Sequence, residues 1–272
     1  KAEPARATRA CFDAGVAAGV TFSFGDPVTR IDTAGGRISG VEVGARYHRA
    51  PVVITAAGSG SSALLRKVGL DLPQERIRAT VARTEPRPDQ VIPACVSAQQ
   101  TGIRQDVEGA FILSVAGGEY DLRLDSWRHK RWYDATRKSN PDAARIDYMA
   151  PLKRLAPRRS SAPLADFPPS RDNPRPETFR VEQARLEFAQ LFPVLADVQI
   201  ETSWAGIIDT MPDVIPVLGP VDHRPGLLVA TGFSGHGFGP GPMAGKLVAE
   251  LSMGRKSSLD ISALSPMRFG NF

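Results

Sequence analysis

The stretch "TGFSGHGFGPGPMAGK", Thr231–Lys246, places six glycines, two prolines and one histidine in sixteen residues, directly after an apolar run. Three chemistries compete for such a segment. A phosphate loop of the form GxxxxGK[ST] needs a glycine where Pro240 stands and a hydroxyl where Leu247 stands, so that reading fails on two counts. His236 is a candidate base, but the sequence offers no nucleophile and acid that can be assigned to it, so a hydrolytic triad is unsupported. The third reading uses the glycines on either side, Gly235 and Gly237, which let the backbone pass close to a flat ligand. The helix expected from Gly241 would then point its positive N-terminal end at that ligand. A flavin ring is one such ligand.

A second glycine cluster, "GSGSSA" at Gly58–Ala63, also matches GxGxxA between an apolar strand and a helix, the context of a dinucleotide fingerprint. The helix, hairpin and strand expected before it make it a late strand of a nucleotide-binding domain instead of its first. Four histidines and two cysteines (Cys11, Cys95) show no metal spacing, so no metal site and no disulfide framework is expected.

These loops need elements to hold them. Residues 4–18 read as an Ala-rich helix with Pro4 in its first turn. A hairpin follows, broken at Gly35-Gly36, then a buried strand within Ala50–Gly58 and a short helix at Ser61–Gly69. Arg76–Thr84, Gly109–Gly117 and Asp121–Trp127 read as strands. Arg145–Lys153 and Arg158–Pro176 read as loops. Glu177–Phe192 reads as an amphipathic helix with Val181, Leu186, Phe188 and Leu191 on its apolar face. Strands at Val198–Asp209 and Gly226–Phe233 and a helix at Gly241–Gly254 complete the chain. The fold class is therefore mixed α/β, with an antiparallel middle and a C-terminal return to the first domain.

The 272 residues carry a net charge of +5, with basic clusters at Arg128–Arg131 and Lys153–Arg159. Charge alone, without an aromatic-interleaved module, does not make a nucleic-acid site. No run approaches a membrane span or a signal peptide, which makes a cytoplasmic setting the expectation.

Four stretches, in order, resemble the D-amino-acid oxidase, glycine oxidase and sarcosine oxidase superfamily of FAD-dependent oxidoreductases. They are "PARATRACFDAGVAAGVTFSFGDPVTRI", "VVITAAGSGSSALLRKVGLDLP", "SWAGIIDTMPDVIPVLGP" and "GLLVATGFSGHGFGPGPMAGKLVAEL". The resemblance implies an FAD-binding Rossmann-like domain, incomplete at its N-terminus, plus an antiparallel-sheet substrate domain. It divides the chain as 1–74 (part of the FAD domain), 75–203 (substrate domain) and 204–272 (return to the FAD domain). It implies FAD contacts from Val28, Ala57, Gly58, Gly206, Gly232, Ser234, Gly235, His236, Gly237 and Phe238, with His236 also the catalytic candidate. Arg104, Arg123, Arg128 and His129 are candidates to hold a substrate anion. The implied reaction is oxidation of the C–N bond of an amine or amino acid by hydride transfer to flavin, with oxygen or another acceptor taking the electrons. An α-hydroxy-acid oxidising relative, or a non-catalytic subunit that does not hold FAD alone, stands as the alternative.

The departures are also informative. The family's GxGxxG unit is absent, so a companion segment or subunit is expected to supply the pyrophosphate site. Gly206 stands where sarcosine oxidases carry the flavin-linked cysteine, so FAD is expected to be non-covalent. Ile208 and Asp209 stand where an arginine for the substrate carboxylate is usual.

Overall fold

A computed structural model describes residues 2–121, 124–139, 145–146 and 174–270. The chain divides into two compact units. The first comprises Lys1–Phe22, Ile77–Arg123 and Asn140–Ile207; the second comprises Ser23–Arg76, Leu124–Ser139 and Ile208–Phe272. These units cut the expected ranges differently: the N-terminal helix groups with the first unit, and a helix from the middle of the chain groups with the second.

The first unit opens with helix α1 (Pro4–Ala17), which starts at Pro4 as the sequence implies and buries no residue. Its sheet contains β5 (Glu75–Thr84), β6 (Val96–Ser97), β7 (Thr101–Gln105), β8 (Phe111–Val115), β9 (Glu119–Tyr120), β10 (Arg145–Ile146) and β11 (Ile200–Thr210). The order is β10-β9-β5-β8-β7-β6, with β11 also on β5; β9–β5, β5–β8, β8–β7 and β7–β6 are antiparallel and β9–β10 is parallel. Alternation of apolar residues in β7 and β8 buries Ile103, Phe111, Leu113 and Val115. They pack with Ala184 and Phe188 of helix α4 (Thr178–Leu191). That helix turns a different face inward from the one expected. Ala184 and Phe188 are buried and Val181 packs beside them, while Leu186 and Leu191 are exposed. Arg180 is buried on the same side because its guanidinium reaches Ala116 O, Gly118 O and Glu177. A charged residue that hydrogen-bonds three acceptors can take a core position that hydrophobicity alone assigns elsewhere.

The second unit holds the hairpin of β1 (Val28–Ala34) and β2 (Arg37–Val43), turned at Gly35-Gly36 as expected, with β3 (Arg46–Arg49) on its edge. A further sheet runs β12 (Val217–Pro220), β13 (Leu227–Thr231), β4 (Val53–Thr55). β12 and β13 are antiparallel, β13 and β4 parallel. Helix α2 (Ser61–Arg66) follows β4. Leu65, Leu70, Leu72, Met211, Val217, Leu227 and Val229 form the main core of this unit. Helix α5 (Gly241–Ser252) buries Ala244, Leu247 and Val248 against Leu218 and Leu228.

Three expectations change here. The strand read over Asp121–Trp127 is not found: β9 ends before it at Tyr120, and helix α3 (Leu124–Ser139) takes its second half. His129 and Tyr133, one helical turn apart, are both buried, and Tyr133 Oη lies 2.7 Å from Pro73 O and 2.5 Å from Thr210 O. The 3.6-residue period of this face was hidden by the basic residues between its members. The strand within Ala50–Gly58 is an edge strand, not a buried one, and Ile54 is 43% exposed. Of the segments read as loops, Arg145–Ile146 pairs in the sheet, and 147–173 lies outside the described residues. Among the described residues, no helix is long and apolar enough to cross a membrane.

Candidate functional site

The glycine loop follows β13 in the second unit. Gly232 (φ 72°), Ser234 (φ 52°) and Gly235 (φ 83°) all adopt left-handed backbone, which turns the chain sharply away from the strand. Ser234 is the costly member, because a side chain in that region is strained by about 1–3 kcal/mol. Local bonds hold it there. Its amide donates to Asp209 O at 3.0 Å, its hydroxyl donates to Gly232 O at 3.1 Å, and the same hydroxyl accepts from the Met211 amide at 3.1 Å. Helix α5 then starts at Pro240–Gly241, with Pro242 in its first turn. The Gly241 amide donates to Gly237 O and the Ala244 amide to Pro240 O, so part of the N-terminal donor set is already engaged.

The glycines do not all serve one purpose. A Cβ on Gly232 would lie 2.4 Å from Met211 Cγ, and one on Gly237 would lie 3.0 Å from Phe233 Cβ. Those two glycines give room to the protein's own side chains. By contrast, Gly58 (φ 49°), Gly241 and Gly245 have nothing within 4 Å of an added Cβ, and all three line a cavity of about 520 Å³. Ile54, Ala56, Thr231, Phe233, Ala244 and Val248 contribute to the same wall. The volume falls in the roughly 300–1,000 Å³ range of ligand clefts. These three positions therefore carry no side chain on a wall where an added Cβ would meet no neighbouring atom. Asp209 is the one ionisable residue among those lining it. The lining therefore contains nothing to neutralise a pyrophosphate.

Asp209 is the centre of a polar cluster. Its Oδ2 accepts from the Gly232 amide at 2.7 Å, from Thr231 Oγ1 at 3.1 Å and from Gln74 Nε2 at 3.2 Å. Gln74 Nε2 also reaches Gly58 O and Thr231 Oγ1, while Gln74 Oε1 accepts from the Ser62 amide. Gln74, Thr231, Ser62 and Ser234 are all buried.

The expected site residues scatter around this arrangement. Gly58 and Gly237 line the cavity. Ala57, Gly206, Gly235, His236 and Phe238 are exposed, and Gly232 and Ser234 are buried beside the loop. The His236 amide donates to Phe233 O; its ring stands in solvent. Val28, 40% exposed at the start of β1, is not among the lining residues. Asp209, Thr231, Phe233 and the small residues of α5 were not singled out as contacts. The signal available for α5 was its Gly241, Ala244, Gly245 and Ala249 spacing, which runs along one side of a helix.

The anion-binding candidates are otherwise engaged. In the first unit, Arg104 Nη1 pairs with Glu3 Oε1 at 2.6 Å. In the second, His129 is buried with Nε2 3.1 Å from Asp71 Oδ1, and Arg128 lies 3.6 Å from Asp71 Oδ2. Burial raises the Asp71 carboxyl, but the nearby His129 and a hydrogen bond from Arg66 overcome it and hold the group below its usual range. Arg123 lies outside the described residues. Among the described residues, no group of histidine, cysteine or acidic side chains has the arrangement of a metal site.

Residues 1–251 match the family model for FAD dependent oxidoreductases, DAO. A D-amino acid dehydrogenase of Bradyrhizobium diazoefficiens is 25% identical over 255 residues, 94% of this chain and 49% of that protein. A glycine oxidase of Pseudomonas aeruginosa is 36% identical over 85 residues, 31% of this chain and 23% of that protein. Among solved structures, an L-amino acid deaminase of Proteus myxofaciens superposes with a TM-score of 0.77 at 22% identity, over 90% of this chain and 56% of that one. That likeness establishes the fold. The chain spans about half the length, or less, of the relatives it matches.

Proposed function

The chain belongs to the FAD-dependent oxidoreductase family, and from that premise we propose that it supplies the flavin-ring side of an enzyme oxidising the C–N bond of an amine or amino acid. The observation that carries this reading is the cavity wall of Gly58, Gly241 and Gly245, open where side chains would stand, with the apolar surfaces of Ile54, Phe233 and Val248 beside it. A bound FAD supplies the acceptor for the hydride leaving the substrate carbon. The chain's part is to hold the ring flat and to keep water from it. Attachment is non-covalent in this reading, since neither cysteine nor histidine lines the cavity. The pyrophosphate contacts come from a companion segment or subunit in this reading, the 272 residues holding no GxGxxG unit. Oxygen or another acceptor receives the electrons.

Two measurements test this. Titration with FAD and with riboflavin, which has the ring but no pyrophosphate, should quench flavin fluorescence in both cases. Unchanged fluorescence with both ligands would contradict the site. With flavin bound, a panel of amines, amino acids and α-hydroxy acids with an artificial electron acceptor reads the substrate class. Turnover of α-hydroxy acids alone would move the function to the alternative chemistry.

A further inference from the structure

We infer that Asp209 is a positioning residue, whose carboxylate ties the end of β13 to Gln74, the two of which hold Gly58 in the turn after β4, and so sets the width of the cavity. Three donors from two segments distant in sequence meet at its Oδ2: the Gly232 amide and the Thr231 hydroxyl at the end of β13, and the Gln74 amide nitrogen, at 2.7, 3.1 and 3.2 Å. The proton inventory makes this cluster one unit. Gln74 Nε2 has two protons and three acceptors within 3.2 Å: Gly58 O, Asp209 Oδ2 and Thr231 Oγ1. Thr231 Oγ1 has one proton and lies 3.1 Å from both Gly58 O and Asp209 Oδ2. Without the carboxylate, Gln74 and Thr231 still have Gly58 O within reach, but the Gly232 amide loses the one acceptor it bonds. Gln74 and Thr231 are then free to rearrange around Gly58.

The cluster reaches the loop through two further bonds. Asp209 O accepts the Ser234 amide, and Gln74 Oε1 accepts the Ser62 amide at the start of α2. The left-handed Ser234 is thus tied to the same residue through its main chain. Asp209 itself lines the cavity, together with Gly58 and Thr231. Oδ2 is occupied by these three donors, which is the geometry of a clamp.

The consequence for a bound ring rests on the flavin reading of the cavity, so the test reads the clamp and the ring separately. Amide hydrogen exchange at Gly232 follows the clamp with no ligand present. Asp209→Ala should speed exchange there by about tenfold or more, as loss of a charge-assisted acceptor implies. Asp209→Asn keeps a carbonyl oxygen at the Oδ2 position and should hold exchange within about threefold of the wild type. Riboflavin affinity, read by fluorescence quenching, should follow the same order: lost by about tenfold in the alanine variant and rescued by asparagine. Gln74→Met, which removes the bonds to Gly58, Asp209, Thr231 and Ser62 but leaves the Gly232–Asp209 bond, should fall between them and serves if the alanine variant does not fold. Unchanged Gly232 exchange in Asp209→Ala, or in Gln74→Met where that variant stands in, overturns the clamp. Equal damage from alanine and asparagine overturns it too, since charge and not acceptor geometry would then be at work. If the wild type takes up no riboflavin, the flavin reading fails while the exchange comparison still decides the clamp.

Discussion

Gly232 and Gly58 both hold left-handed backbone, at φ 72° and 49°, yet their surroundings are opposite. A Cβ on Gly232 would lie 2.4 Å from Met211 Cγ, inside the core that holds the unit together. A Cβ on Gly58 meets nothing within 4 Å and stands on the cavity wall. One glycine makes room for the protein's own core, and the other leaves open space on the cavity wall that the proposed flavin ring would use. The difference teaches that a glycine-rich loop cannot be assigned wholesale to a cofactor. Each position must be asked what its missing side chain would strike.

Substitutions can break that comparison. Gly232→Val combines backbone strain with overpacking against Met211, and should cost about 3 kcal/mol in urea unfolding whether or not flavin is present. Gly58→Ala carries the backbone strain alone and should cost about 1–2 kcal/mol by the same measurement. Equal costs at the two sites would erase the distinction. Gly245→Leu lies in helix α5 with open space around it, so its stability should change by no more than about 1 kcal/mol, while riboflavin binding is lost as the side chain fills the cavity. His236→Ala, on an exposed ring, should shift stability by less than about 0.5 kcal/mol.

Acid acts alike on the two units. Burial would raise Glu177 in the first unit, but contacts with Glu119, Arg180 and Arg78 leave its carboxyl lowered. Asp71 in the second unit is lowered in the same way by His129 and Arg66. A carboxyl held below its unfolded value stabilises the folded state above that value, about pH 4, and loses the contribution as pH falls through the folded one. Stability should therefore decline below about pH 4. Glu177→Gln and Asp71→Asn should each flatten the decline, as read by thermal melts across an acid series.

Much of the frame was legible in the sequence. The hairpin at Gly35-Gly36, the strand before Gly232 and the Pro242 helix start follow from local residue chemistry, and the structure has all three. Helix α3 was not legible because its buried positions are a histidine and a tyrosine set among charges, whose burial depends on the distant acceptors Asp71, Pro73 and Thr210. The inward turn of Arg180 failed for the same reason. At the site, the loop itself stood out, but the division of its glycines did not, since Met211 and Phe233 are found only by folding. Asp209 was visible as an oddity of sequence. Its role as the meeting point of Gln74, Thr231 and Gly232 required the third dimension.

The most direct test of the central claim compares riboflavin binding by the wild-type chain with binding by Gly245→Leu, using fluorescence quenching at matched protein concentration. The account predicts saturable quenching by the wild type and none by the variant, with both proteins melting at similar temperatures. Equal quenching by the two would place the ring elsewhere and contradict the assignment of the cavity.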